Sequence, residues 1–269
     1  DGGNTLTING TLSGAGPVNV GTSAVNTVYS LTIGASPTIT GSIKALPGRG
    51  GSGQLNITSN GGSVADLDID PGGGPGSPSI DFLSDLTVTG DLFIRGGDNS
   101  VPDPVYSLNG FDLDLQGDVT FDQDASTFTW SKDGGTITLS GTADQDVDFD
   151  GYSVEDIVVN KGSGTVTLTG DVTTDSFTMT SGGFDADTYD VTVEGAVSSS
   201  GGDPDLGSGT WSVGGTCDVS GVDTLDDGTS TIQLESGSTS LVTKDLTDIY
   251  DLIVKAGATV TWTAGGSQR

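Results

Sequence analysis

A short pattern recurs at many points along the amino-acid sequence. The segment Tyr250–Thr261 (YDLIVKAGATVT) resembles Tyr29–Thr40 (YSLTIGASPTIT). A third segment, Val154–Thr167 (VEDIVVNKGSGTVT), resembles both when one residue is inserted in its turn. Internal repetition of this kind is typical of solenoids and repeat arrays, and it restricts the fold more strongly than composition does.

A still shorter unit combines an alternating strand, a turn that contains glycine, and a second short strand. It occurs as LTINGTL from Leu6, LTVTGDL from Leu86, LDLQGDV from Leu113, VTLTGDV from Val166 and VTVEGAV from Val191. An antiparallel sandwich would place turns every 8 to 12 residues, roughly, without a longer period. Here Gly90 and Gly117 are 27 residues apart, and Gly195 and Gly215 are 20 residues apart. The spacing predicts an all-β chain folded as a right-handed parallel β-helix, or β-solenoid, with irregular coils of about 20 to 27 residues.

Stretches rich in proline and glycine interrupt this pattern in the first part of the chain. They are Pro47–Gly53, Pro71–Pro78 and Asn99–Pro104. Proline lacks the N–H that a strand ladder needs, and glycine-rich runs are typical of loops. We therefore expect a loop-decorated part over residues 1–124 and a more regular part over residues 125–269, within one continuous solenoid.

The charge balance excludes some classes of partner. The chain carries 37 acidic and 8 basic residues, a formal net charge of −29. Nucleic-acid binding depends on cationic side chains that neutralise phosphates, so we expect no nucleic-acid partner. The apolar runs are only a few residues long, so no membrane insertion is expected. Self-repulsion of this size has to be screened by salt or by bound cations. A saline or calcium-rich exterior fits this charge, and so does simple solubility of a β-rich chain.

The sequence lacks residues that several classes of catalysis require. The sequence contains no histidine, which excludes Ser-His-Asp and Cys-His catalysis. Its single cysteine, Cys217, forms neither an intrachain disulfide nor a cysteine zinc site. Cys217 shares the apolar phase of its segment with Val213 and Val219, so we expect a buried and inert thiol. Val159 and Val193 are expected to point inward by the same phase argument. No catalytic residue and no cofactor is predicted.

Aspartates are the only residues that suggest ion chemistry. Asp146, Asp148 and Asp150, followed by Gly151, open like an EF-hand loop, but Ile157 stands where that loop needs glutamate. On a strand the three carboxylates would share one face and repel each other unless a cation lay between them. They are therefore the candidate Ca²⁺ site, and a solvated acidic face is the alternative interpretation.

Aromatic residues have two possible uses, core packing and sugar stacking. Trp130, Trp211 and Trp262 each share an apolar strand phase, which favours the core. Tyr106 follows Pro104 in the loop-rich part, and we predict it to be the surface contact residue.

Three segments of the sequence resemble a broad class of proteins. They are SGTWSVGGT from Ser208, GGTITLSGT from Gly134 and YDLIVKAGATVTWT from Tyr250. The class comprises Thr/Gly/Asp-rich β-solenoid segments of phage virion appendages and of large bacterial or archaeal surface proteins. The resemblance brings no catalytic residue with it. It implies a structural role at the cell surface, in the extracellular space or on a virion surface, with attachment as the usual purpose.

These observations together predict a non-catalytic structural β-solenoid of an extracellular fibre or virion surface, such as a phage fibre or capsid-surface protein. Its expected partners are other copies of itself or an adjoining structural protein. A bacterial or archaeal surface adhesin or sheath module that binds glycan is one alternative. A polysaccharide-degrading β-helix enzyme is the other, because paired carboxylates can hydrolyse glycosidic bonds.

Overall fold

The computed structural model describes residues 4–9, 18–20, 28–34, 38–39, 43–45, 53–71, 77–96, 103–122, 127–237, 240–243, 249–258 and 261–264. The regular secondary structure in these ranges consists of β-strands. None of the described residues form a helix long and apolar enough to cross a membrane. Contacts divide the chain into an N-terminal unit, Asp1–Ile137, and a C-terminal unit, Thr138–Arg269.

The strands of the N-terminal unit are β1 (Asn4–Ile8), β2 (Val18–Val20), β3 (Val28–Ile33), β4 (Thr38–Ile39), β5 (Ile43–Ala45), β6 (Gln54–Ser59), β7 (Ser63–Val64), β8 (Leu67–Ile69), β9 (Ser79–Phe82), β10 (Leu86–Val88), β11 (Leu92–Arg95), β12 (Val105–Ser107), β13 (Leu113–Leu115), β14 (Val119–Asp122) and β15 (Thr129–Ser131), and β16 (Thr136–Leu139) lies at the division.

The strands of the C-terminal unit are β17 (Gln145–Asp148), β18 (Ser153–Val154), β19 (Asp156–Leu168), β20 (Val172–Thr174), β21 (Phe177–Asp185), β22 (Val191–Val193), β23 (Val197–Ser199), β24 (Asp203–Asp205), β25 (Thr210–Val213), β26 (Cys217–Asp218), β27 (Thr231–Leu234), β28 (Ser240–Thr243), β29 (Asp251–Val254) and β30 (Thr261–Ala264).

In the N-terminal unit the strands form three parallel stacks. One stack runs β1, β3, β6, β9, β12, β15, the second runs β4, β7, β10, β13, and the third runs β2, β5, β8, β11, β14. In the first stack, paired residues are 24 to 26 positions apart in the sequence. One coil of this unit therefore takes about 25 residues and contributes one strand to each stack.

The C-terminal unit uses shorter coils. One stack runs β18, β20, β22, β25, β27, β29, and its paired residues are 19 to 21 positions apart. A second stack includes β21, β23, β26, β28 and β30, all parallel. The long strands β19 and β21 pair across two register shifts and connect this stack to a third, which includes β24.

Alternation of side chains explains the core. In β6 every second residue is buried, and its neighbours in the stack continue the same phase, as expected when one face of a pleated strand meets the interior. Leu31, Ile57 and Phe82 form such a column and are essentially inaccessible to solvent. The predicted all-β parallel β-helix is confirmed, since the described strands pair in parallel, one coil after another.

The inward predictions for Val159, Val193, Val213 and Cys217 are confirmed, because all four are buried. Trp130 and Trp211 are buried as predicted, and the side chain of Trp262 lies outside the described residues. Most of Pro47–Gly53, Pro71–Pro78 and Asn99–Pro104 also lies outside them. The predicted parts 1–124 and 125–269, and their continuity as one solenoid, stay predictions.

Candidate functional site

Aspartate carboxylates link successive coils of the N-terminal unit. Asp91 donates its backbone N–H to Asp66 Oδ1 at 3.1 Å, and Asp118 donates its own to Asp91 Oδ1 at 3.0 Å. At another corner Asp112 N–H donates to Asp85 Oδ1 at 3.0 Å. Each carboxylate thus satisfies a backbone donor that lies one coil further along the chain, at a corner where no strand ladder does so.

Glycines beside these aspartates make the close approach possible. A Cβ atom on Gly90 would lie 2.0 Å from Asp66 Oδ1, and one on Gly117 would lie 2.4 Å from the carbonyl of Gly90. Real Cβ atoms cannot approach other atoms that closely. The corner therefore requires glycine before aspartate in LTVTGDL and LDLQGDV. The sequence signal for this arrangement was the recurrence of Gly-Asp one coil apart.

The same device continues in the C-terminal unit. Asp171 Oδ1 accepts the N–H of Asp190 at 2.9 Å, and Asp190 Oδ1 accepts the N–H of Thr210 at 2.7 Å. Asp144 Oδ1 accepts the N–H of Thr165 at 3.1 Å. Two consecutive links through Asp190 show that the carboxylates form a chain of connections along this corner.

The candidate Ca²⁺ residues are placed differently from the expectation. Asp146 and Asp148 lie on the outer face of β17, whereas Asp150 follows the strand in a turn with φ of 50°. Asp148 Oδ1 accepts the N–H of Asp150 at 2.7 Å, an Asx-turn. The three aspartates therefore do not share one strand face. Throughout the described ranges, no group of three or more His, Cys, Asp or Glu side chains is arranged to hold a metal ion.

The prediction that Tyr106 is a surface contact is wrong. Its side chain is fully buried, and its hydroxyl donates to the carbonyl of Arg95 at 2.7 Å. The ring stacks on Trp130 with centroids 6.2 Å apart. The reason is register, since Tyr106 pairs with Ile80 and Trp130 in the inward phase of the first stack.

Arg95 forms ion pairs with two other coils of the N-terminal unit. Its Nε lies 2.9 Å from Asp68 Oδ1 in the preceding coil, and its Nη1 lies 3.3 Å from Asp122 Oδ2 in the following coil. The guanidinium also lies over the ring of Phe93 at 5.5 Å. The hydrogen bond to Asp68 is the largest cause of a raised pKa for Arg95.

A buried lysine in the C-terminal unit was missed by sequence reasoning. Lys161 is 1% exposed, and its Nζ donates to the carbonyl of Ser140 at 2.8 Å and to Gln145 Oε1 at 3.2 Å. The stretch NKGSG reads as an exposed turn, and nothing local to it signals burial. Its amine serves the interior packing of β17 against β19.

An open groove of about 520 Å³ lies in the C-terminal unit. Its lining residues are Ser163, Gly164, Thr165, Gly182, Gly183, Phe184, Asp185, Asp203 and Asp205. Asp185 and Asp205 are paired on neighbouring strands, and each Oδ1 accepts the N–H two residues ahead, at 2.7 and 2.8 Å. Asp203 Oδ1 accepts the hydroxyl of Thr224 at 2.6 Å. The groove therefore presents hydroxyl, backbone and carboxylate groups, which are able to form hydrogen bonds with a polyhydroxylated ligand.

The thiol of Cys217 has no nucleophilic character. It lies beside a small apolar cavity of about 20 Å³ lined by Met179 and Trp211 among others. Burial, followed by the nearby charge of Asp218, raises the pKa of Cys217 to about 12. A thiol with such a pKa remains protonated at neutral pH and does not act as a nucleophile.

No protein-family model matches the sequence, and neither the curated proteins nor the solved structures provide a match.

Proposed function

We propose that this chain is a non-catalytic structural β-solenoid of an extracellular fibre or virion surface that serves assembly or attachment. The observation that carries the proposal is the use of its aspartates. Carboxylates of Asp66, Asp91, Asp171 and Asp190 accept backbone N–H groups one coil away, so they serve the ladder between coils. These four carboxylates are thus engaged in holding coils together.

The charge of the chain supports an exposed, repetitive role. A net charge of −29 keeps the outward faces of separate copies apart unless salt screens them. Lateral association is therefore disfavoured, and contacts with other copies or with an adjoining structural protein fall on less charged parts. This arrangement suits a surface or fibre protein that has to remain separate along its sides.

The proposal is tested by incubating the purified chain with a panel of bacterial and algal polysaccharides and measuring new reducing ends and unsaturated sugar ends. We expect no turnover above that of a heat-unfolded sample. Sustained turnover that Asp203→Asn abolishes, while the melting temperature is unchanged, would replace the structural proposal with the enzyme alternative.

Glycan binding is a second candidate, and the groove beside Asp203 favours it. Binding without turnover is expected on a glycan array if this candidate is correct, and the single variants Thr165→Val and Asp203→Asn should each reduce it. Asp114→Asn, in the other unit, is the matched control that removes one carboxylate elsewhere. Equal binding by all three variants would show that the groove is not the glycan site.

A further inference from the structure

Exposed apolar side chains are concentrated at one strand. Among the described residues, the large apolar side chains that are well exposed are Leu83, Tyr250, Ile253 and Val254, and the last three lie in or directly before β29. Val254 is 49% exposed, although Val213 and Leu234 in the same inward column are fully buried. The inward column is therefore uncovered at β29.

One edge of β29 is open within the described part of the chain. Its other edge pairs in parallel with β27, where Lys255 N–H donates to the carbonyl of Leu234 at 3.0 Å. Alternate residues of a strand direct their backbone groups to opposite edges, so Leu252 and Val254 direct theirs away from β27. An edge that combines unpaired backbone groups with apolar side chains favours pairing with another strand.

The first described strand shows the matching situation. Strand β1 pairs with β3, and no other described strand lies on its second edge. Leu6 is half-buried, whereas Leu31 and Ile57 in the same column are buried. Thr7 is exposed. Both strands carry the pattern apolar-x-apolar, with Leu6 in β1 and Leu252 in β29 at equivalent positions.

The charge is distributed so that these two regions do not repel each other. Residues 1–65 contain one acidic and two basic residues, and residues 244–269 contain three of each. Residues 66–243 contain 33 acidic and three basic residues. The parts of the sequence that hold β1 and β29 are thus close to neutral, while the intervening part holds the negative charge.

We propose that two copies of this chain associate head to tail, with the open edge of β29 in one copy pairing in parallel with the open edge of β1 in the next. Leu252 then lies opposite Leu6, which continues the inward column that Leu6 forms with Leu31 and Ile57. The occupant is a second copy because β1 carries no charged side chain, has the required pattern and is paired on one edge only among the described strands. Such a heterologous contact is not closed, so association grows with concentration. This inference rests on the structural role proposed above and specifies its contact.

Sedimentation of the full chain over a concentration series tests the contact. We expect the mean mass to rise with concentration and to rise further between about 0.1 and about 1 M NaCl, because salt screens repulsion between the acidic parts. Val254→Asp should weaken association by about tenfold or more, since it places a charge in the apolar seam. Leu83→Asp, at the other exposed apolar residue, is the matched control and should associate as the wild type does. A wild-type monomer at every concentration and salt level would overturn the proposal.

Cross-linking tests which strands meet. A Thr7→Cys copy mixed with an Ile253→Cys copy should give a mixed cross-linked dimer with a short bismaleimide, because the two positions lie opposite each other in the proposed register. Dimers of the Ile253→Cys copy alone would indicate tail-to-tail pairing and would overturn the head-to-tail register. Neither outcome depends on glycan turnover, so failure of this contact is distinguishable from failure of the structural function.

Discussion

A Gly-Asp pair has two roles at a corner of the solenoid: it permits close approach of the coils, and it supplies a hydrogen-bond acceptor. Glycine permits successive coils to approach closely at the corner. The carbonyl of Gly90 lies only 2.4 Å from the position that a Cβ atom on Gly117 would occupy. The following aspartate then supplies the acceptor for a backbone N–H of the next coil, as Asp91 does for Asp118. A charged acceptor contributes more to such a bond than a neutral one does.

Replacing Asp91 tests this role. Asp91→Ala should lower the free energy of unfolding by about 1 to 2 kcal/mol, because the N–H of Asp118 loses its acceptor. Asp91→Asn keeps a side-chain oxygen at the same position and should lose less than half as much. Denaturant unfolding monitored by circular dichroism measures both, and equal losses for the two variants would contradict the acceptor role.

The thiol of Cys217 gives a second prediction at this scale. Its pKa is raised to about 12 by burial, so the reactive thiolate is scarce at pH 8 in the folded protein. We expect no labelling by an aromatic disulfide reagent at pH 8 until denaturant is added, and stoichiometric labelling afterwards. Rapid labelling of the folded chain would show that the inward phase of β26 is incorrect.

At the scale of strands, Arg95 joins three successive coils of the third stack. Its guanidinium contacts Asp68 in β8 on one side and Asp122 in β14 on the other. Without it, neighbouring coils would present carboxylates to one another with no cation between them. The side chain is 36% exposed, so solvent screens the ion pairs and limits their contribution.

The prediction for Arg95 concerns its salt dependence. Arg95→Met keeps the apolar stem and should lower the free energy of unfolding by about 0.5 to 1 kcal/mol at low ionic strength. The loss should shrink in about 1 M NaCl, where the Debye length is about 3 Å. Urea unfolding at the two salt concentrations measures the difference. A loss that is unchanged by salt would assign the effect to packing on Phe93.

Strand phase was predictable from the sequence, whereas the pairing partners of each strand were not. Local alternation places Val193 and Val213 inward, and this succeeded because a half-buried strand has period two. Tyr106 was misassigned because Pro104 and the loop-rich sequence before it suggest a loop, while its burial is decided by Ile80 and Trp130, each a full coil away. Asp150 was misassigned because the Asp-x-Asp-x-Asp alternation was given more weight than the turn signal of Asp150-Gly151. The groove joins Thr165, Gly183 and Asp203, which become neighbours only through the register of separate coils.

For the molecule as a whole, the large negative net charge determines how stability depends on salt. A net charge of −29 opposes compact folding at low salt, and cations that screen it stabilise the folded state. The aspartates described here accept hydrogen bonds from the chain, and those in the described ranges form no cluster suited to a metal ion. The effect of divalent cations should therefore be general screening without selectivity.

Thermal unfolding in matched cations tests this expectation. The melting temperature should rise with NaCl, and equal concentrations of Ca²⁺ and Mg²⁺ at fixed ionic strength should raise it equally. Ca²⁺ requires more ligands and a different geometry from Mg²⁺, so a specific site would separate the two ions. A gain with Ca²⁺ that exceeds the gain with Mg²⁺, and that Asp148→Asn removes, would restore the calcium site at Asp146, Asp148 and Asp150.

We propose above that this chain is a structural component of an external fibre or virion surface. Immunogold electron microscopy of the source cells and of any particles they release, with an antibody raised against the purified chain, tests it most directly. We expect gold label along extracellular fibres or on a virion surface, and none in the cell interior beyond newly made protein. Label confined to the cytoplasm, with no labelled external structure, would contradict it.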